Sequence, residues 1–172
     1  LCFFVAITVW LTWPLTPRFA TGLSGSADSL LNAWALGWSF HILPHEPLSL
    51  FDANIFAPRP DTLAYSEHLF GITALVWPVY LATENLALTY NVAFFSSFVL
   101  SGLGVFLLTR DLTENTWAAL AAGTIFLAAP YRFQHLLQIQ LLSYQWFPFV
   151  FWCVLRFLRT GKNRWLLGIV VF

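Results

Sequence analysis

Eight side chains carry the chemistry that this sequence could perform: Asp28, Arg59, Glu67, His68, Tyr131, Arg132, His135 and Gln138. They stand out because only 9% of the residues are charged, and because carboxylates and imidazoles are the usual proton-transfer groups. Asp28 opens the stretch "DSLLNAWALGWSFH" and shares a helix face with Asn32, while Leu30, Trp34 and Trp38 recur at i,i+4 as an indole stripe. Two readings stand for Asp28. An acid in a first turn is favoured by the free backbone N–H groups and the helix dipole, or the carboxylate sits on a polar edge that faces a cleft. Glu67 and His68 abut the apolar run that starts at Leu69, where a charge is costly unless it is partnered or lines a wet cavity. In "YRFQHLLQIQ", Gln134 and Gln138 match at i,i+4 and His135 and Gln138 at i,i+3. Such a stripe either contacts a substrate or fixes packing through interhelical hydrogen bonds.

The elements that must position these groups are apolar. With 59% hydrophobic residues and a mean hydropathy of +0.71, the chain belongs to the membrane class, and its zero net charge and the restriction of any aromatic-interleaved basic run to one short stretch near the C-terminus argue against nucleic acid as a partner. Cys2 and Cys153 have neither disulfide nor metal-ligand spacing and read as small core hydrophobes. The expected fold is all-α, a polytopic transmembrane helical bundle with a long first external loop containing juxtamembrane amphipathic helices. Spans are expected at 1–16, 86–108, 117–129, 141–155 and 165–172, the last truncated. Residues 17–68 form the loop, with an amphipathic helix at about 28–43, and 69–82 forms a juxtamembrane or re-entrant helix interrupted by Pro78. The leading run resembles a signal-peptide core but lacks a suitable cleavage site directly after it, so an uncleaved helix is expected. The absence of Met and the apolar ending "LLGIVVF" suggest the N-terminal part of a longer protein. Arg156, Arg159, Lys162 and Arg164 are half of the eight Lys and Arg residues, which predicts a cytoplasmic loop there, a second at 109–116, and external segments at 17–68 and 130–140.

The order of these features resembles the N-terminal part of GT-C type membrane glycosyltransferases, such as protein mannosyltransferases and lipid A aminoarabinose transferases. The resemblance rests on a first span followed by "ADSLLNAWALGW", the Pro-rich "FDANIFAPRPDTLAYSEH", a short apolar helix, a span ending in "LLTRDLT", and "AALAAGTIFLAAPYRFQHLLQIQLLSYQWFPFVF". It covers nearly the whole sequence through order and topology rather than through a signature. It implies a multi-pass protein of the bacterial plasma membrane that moves a sugar from a polyprenyl-phosphate donor to a hydroxyl or amine of a glycan, lipid or protein acceptor. The family's catalytic Asp in the first external loop matches Asp28. The resemblance further implies that Arg59 and Arg132 fork onto phosphate oxygens, with His68 and His135 as further donors and Tyr131 and Gln138 as substrate contacts. A single base opposite the leaving group would invert the anomeric centre.

Two departures from the family pattern are visible. Several members carry a second acid after the third span, sometimes with a divalent cation such as Mg or Mn, whereas 130–140 has no carboxylate. Either Glu67 substitutes as a second catalytic acid, or no metal is used, or the activity has diverged. Some relatives also place a Glu beside the first Asp, where this sequence has Ser29. The alternative function is a transporter or flippase of lipid-linked glycans, which would show repeated halves and charges or broken helices near mid-membrane. A structural membrane subunit is a third reading, for which the ionisable loop would be superfluous.

Overall fold

A computed structural model describes residues 1–171. The protein is all-α, with no strand among the described residues. Its helices are α1 (Cys2–Leu11), α2 (Asp28–Ile42), α3 (Phe70–Thr83), α4 (Leu86–Thr113), α5 (Thr116–Leu127), α6 (Pro130–Gln134), α7 (Ile139–Leu142), α8 (Trp146–Thr160) and α9 (Arg164–Val171). They form two compact units, one of Leu1–Trp13, Phe95–His135 and Leu141–Phe172, the other of Pro14–Phe94 and Leu136–Gln140.

Two stretches are long and apolar enough to cross a membrane by length and composition, Leu86–Thr113 and Ile139–Thr160. The other expected spans are shorter than predicted. At 1.5 Å per residue α1 rises about 15 Å and α5 about 18 Å, against about 30 Å of hydrocarbon. The span expected at 117–129 is therefore a 12-residue helix, started by Asn115, whose side-chain oxygen accepts from the N–H groups of Trp117 and Ala118 at 2.9 and 3.1 Å. α3 has 14 residues with Pro78 inside and rises about 21 Å. The stretch expected at 165–172 is helical over Arg164–Val171, and Phe172 lies outside the described residues.

In the first unit, small residues let helices approach closely. A Cβ on Gly123 would fall 2.6 Å from the Gly102 carbonyl and 2.7 Å from the Phe4 ring, so α1, α4 and α5 meet at a contact that only glycine permits. In the second unit, Phe40 of α2 stacks on Tyr80 of α3 at 4.2 Å and meets Trp77 edge-on. The Pro-rich loop folds onto itself: Trp38 Nε1 donates to the Leu50 carbonyl at 2.8 Å, Thr62 Oγ1 donates to the Ala53 carbonyl, and the Asp52 carboxylate accepts from the Asp61 N–H. Asp52 is thereby a turn residue, as its position between prolines suggests. Asn91 Nδ2 donates to the carbonyls of Phe19 and Gly22, and Asn85 Nδ2 to that of Ala20, which pins the chain ahead of α2 to the start of α4.

Candidate functional site

The site is built where α2 begins. Its N-cap residue Ala27 has φ 47° and ψ −102°, and no side chain caps the helix. For a residue with a Cβ this region costs on the order of 1–2 kcal/mol. The half-buried Asp28 thus does not fill the capping role: its Oδ2 accepts from Gln138 Nε2 at 3.2 Å. Asn32, one turn on, donates to Gln140 Oε1 at 3.0 Å and to the Leu137 carbonyl at 3.4 Å. Ser24 Oγ donates to the Leu136 carbonyl at 3.1 Å, and Ser29 Oγ reaches the Leu137 carbonyl at 3.5 Å. One polar face of α2 is therefore laced to the segment 136–140. A Cβ on Gly25 would sit 2.0 Å from the Leu137 side chain, so glycine is what lets that segment come so close.

This lacing corrects the expectation of a continuous helical stripe at 130–140. α6 ends at Gln134, and α7 starts only at Ile139, so Gln134, His135 and Gln138 do not share one helix face. The physical reason is that the carbonyls of Leu136 and Leu137 are satisfied by side chains of the 24–32 stretch rather than by the next helical turn. Ser24 was not singled out in the sequence; the run of small hydroxyl residues around Asp28, which suits side-chain to backbone bonding, is the signal that could have found it.

Asp28 forms no ion pair among the described residues, and its Oδ1 has no hydrogen-bond partner among them. The Tyr90 hydroxyl, buried and without a hydrogen bond, lies beside Ser24 and Ser29. An amide holding one carboxylate oxygen fixes its direction and leaves the other able to take a proton. On a different face of α2 lies a groove of about 570 Å³ walled by Leu23, Leu30, Ala33, Trp34, Leu86 and Ala87.

The remaining predicted residues are placed as follows. Glu67 is exposed and accepts from Ser66 Oγ at 3.2 Å. Exposed His68 uses Nδ1 to accept the Phe70 N–H at 3.1 Å, at the start of α3, and its ring meets Phe51 edge-on. Arg59 is exposed, and its guanidinium makes no ion pair or hydrogen bond among the described residues. No hydrogen bond or ion pair links Glu67, His68 or Arg59 to Asp28. In the other unit, Tyr131 packs against His135 at a tilted angle of 45°, with ring centres 4.4 Å apart.

Arg132 is fully buried rather than presented to a ligand. Its Nη atoms donate to Ser97 Oγ at 3.3 Å, the Ser97 carbonyl at 3.0 Å, Ser101 Oγ and the Leu142 carbonyl at 3.4 Å. The guanidinium lies 4.6 Å from the Phe98 ring centre and 4.5 Å from that of Tyr144. Only Nε lacks a partner. Burial draws its pKa down to about 10, with Tyr144 opposing the shift, so it stays charged at neutral pH. The expected phosphate fork is thus occupied by the protein's own oxygens. Ser97 and Ser101, at i,i+4 on an apolar helix, were the sequence signal for this buried partner.

The described residues offer no group of three or more His, Cys, Asp or Glu arranged to hold a metal ion. Around Asp28 the other polar side chains are amides and hydroxyls, those of Gln138, Asn32, Ser24 and Ser29. Compared with protein-family models, with curated proteins and with solved structures, the chain matches none.

Proposed function

We propose that this chain is part of a polytopic membrane glycosyltransferase that uses a polyprenyl-phosphate sugar as donor. The observation that carries the reading is Asp28: a half-buried carboxylate that caps nothing, held by Gln138 through one oxygen and free at the other. In the reaction an acceptor hydroxyl gives its proton to Asp28 Oδ1 as its oxygen bonds to the anomeric carbon. The bond from that carbon to the phosphate oxygen breaks, polyprenyl phosphate leaves, and the centre inverts. The exposed Arg59 and His68 are the cationic and donor groups available to the departing phosphate in the same unit as Asp28. The apolar groove beside α2 suits the carrier's hydrocarbon.

Topology supports the same reading. Asp111, near the end of α4, pairs with Arg156 at 2.7 Å and accepts from Arg159 through its carbonyl at 3.0 Å. The segment 109–116 thereby lies against the basic segment 156–164, which suits one cytoplasmic face. In the other unit, Asn85 and Asn91 hold the segment leading into Asp28. α3, too short to cross alone, suits a juxtamembrane or re-entrant position.

The test is release of polyprenyl phosphate, the product common to every such donor, by the full-length protein in membranes. Asp28→Asn should lower it by about 10²–10⁴-fold, the usual share of a general base, with membrane abundance unchanged. Full activity in the variant, or failure to accumulate, would return Asp28 to a structural role. A transporter of lipid-linked glycans is the second reading, favoured by the interruption between α6 and α7. It predicts movement of the intact donor across vesicles with no polyprenyl phosphate released.

A further inference from the structure

We infer that the α8–α9 corner is a docking site for the phosphate of an anionic phospholipid. The inference rests on the membrane placement proposed above and not on the transferase chemistry. Trp152 and Trp165 meet at 5.3 Å with interplanar angle 69°, and the Arg156 guanidinium lies 6.0 and 5.7 Å from their ring centres. Arg164 lies 5.0 Å from the Trp165 ring centre on the exposed side. Asp111 neutralises Arg156 and is 3.9 Å from Arg159. No acid pairs with Lys162 or Arg164 among the described residues, although both are exposed.

The corner has more donors than the protein can serve. The indole N–H groups of Trp152 and Trp165 are both buried without an acceptor. Across 109–116 and 156–164, five bases (Arg110, Arg156, Arg159, Lys162 and Arg164) face two acids, Asp111 and Glu114. A phosphate oxygen entering beside Arg164 would balance the charge and supply the missing acceptor. A lipid rather than a free anion is favoured by the surrounding apolar surface: Leu158 is 76% exposed, Leu167 66% and Val170 82%. Basic residues directly flanking an apolar helix, with indoles at the interface, form the usual setting for an anionic headgroup.

Native mass spectrometry of the full-length protein in detergent, titrated with phosphatidylglycerol or phosphatidylcholine, tests this. The wild type should bind phosphatidylglycerol preferentially. Lys162→Gln with Arg164→Gln should weaken that binding by about 25-fold, roughly fivefold for each surface charge, and leave phosphatidylcholine binding unchanged. The double variant keeps Asp28 and its partners, and its unchanged phosphatidylcholine binding and unchanged protection of the buried Cys153 thiol show that the protein is folded. Equal binding of the two lipids by the wild type overturns the inference, as does an unchanged preference in the double variant. Displacement of phosphatidylglycerol by inorganic phosphate would likewise overturn it in favour of a free-anion site. Extraction of the membranes at alkaline pH, which strips peripheral proteins, separately tests membrane residence.

Discussion

Replacing Arg132 distinguishes a structural guanidinium from a ligand-binding one. Four acceptor contacts to a charged donor, at the lower bound of about 1.5 kcal/mol each, give about 6 kcal/mol, and the two flanking rings add about 1–2 kcal/mol. Against this stands the burial that lowers the pKa to about 10, which corresponds to about 3 kcal/mol disfavouring the charged form. The balance is roughly 4 kcal/mol, so Arg132→Ala should destabilise its unit by about that amount, as removal of a buried charged partner usually does. Cys153 offers a direct readout because it is buried in the same unit at 2% exposure. In a Cys2→Ser background of the full-length protein, which removes the exposed thiol, Arg132→Ala should speed labelling of Cys153 by about 10³-fold, at 1.4 kcal/mol per tenfold. Arg132→Lys keeps the charge but cannot serve the four acceptors or stack on both rings, so a rise of tens-fold is expected. Unchanged Cys153 labelling together with lost transfer would refute the reasoning and make Arg132 a ligand contact.

Gly123→Ala should destabilise by about 2 kcal/mol, because the new Cβ meets the Gly102 backbone carbonyl at 2.6 Å. Gly71→Ala, with nothing within 4 Å, should stabilise by up to about 1 kcal/mol through helix propensity; the same Cys153 labelling reads the first and a thermal scan the second. Asn115→Ala removes the acceptor of two N–H groups and should cost about 1 kcal/mol in thermal unfolding, with Asn115→Asp close to wild type. Gln138→Ala should lower polyprenyl-phosphate release about tenfold by freeing the Asp28 carboxylate to rotate, while Gln134→Ala, on the far side of the helix break, should leave the rate unchanged.

Helical class, the start of α2 at Asp28, the extent of α3 and the start of α4 were legible because each follows from local information: apolar runs, their length and their bounding polar residues; α4 runs on to Thr113, five residues past the expected 108. What local pattern could not show was the end of α6. Its interruption depends on Ser24, Ser29 and Asn32, 105–112 positions away in sequence, supplying donors to the Leu136 and Leu137 carbonyls. Arg132 escaped for the same reason. A cation between two apolar runs suggests a wet surface, and only the pairing of Ser97 and Ser101 with its guanidinium in the fold makes burial tolerable.

Asp28 shows how the two kinds of information combine. Sequence alone leaves a first-turn acid evenly divided between capping and chemistry. A capping acid would sit at the position ahead of the helix and accept from the free N–H groups. Here that position belongs to Ala27, held at positive φ without a side chain able to cap, an arrangement that adds strain, while the first-turn N–H groups of Ser29, Leu30 and Leu31 are met by the Ser26 and Ala27 carbonyls. Helix stability by itself would favour Asp, Ser or Gly at 27 and would not direct the Asp28 carboxylate toward Gln138. The backbone is instead over-determined from outside, by Gly25 against Leu137 and by the Ser24, Ser29 and Asn32 bonds to 136–140. Strain maintained in this way holds one carboxylate oxygen against Gln138 and leaves the other open, which is the geometry the proposed base role calls for.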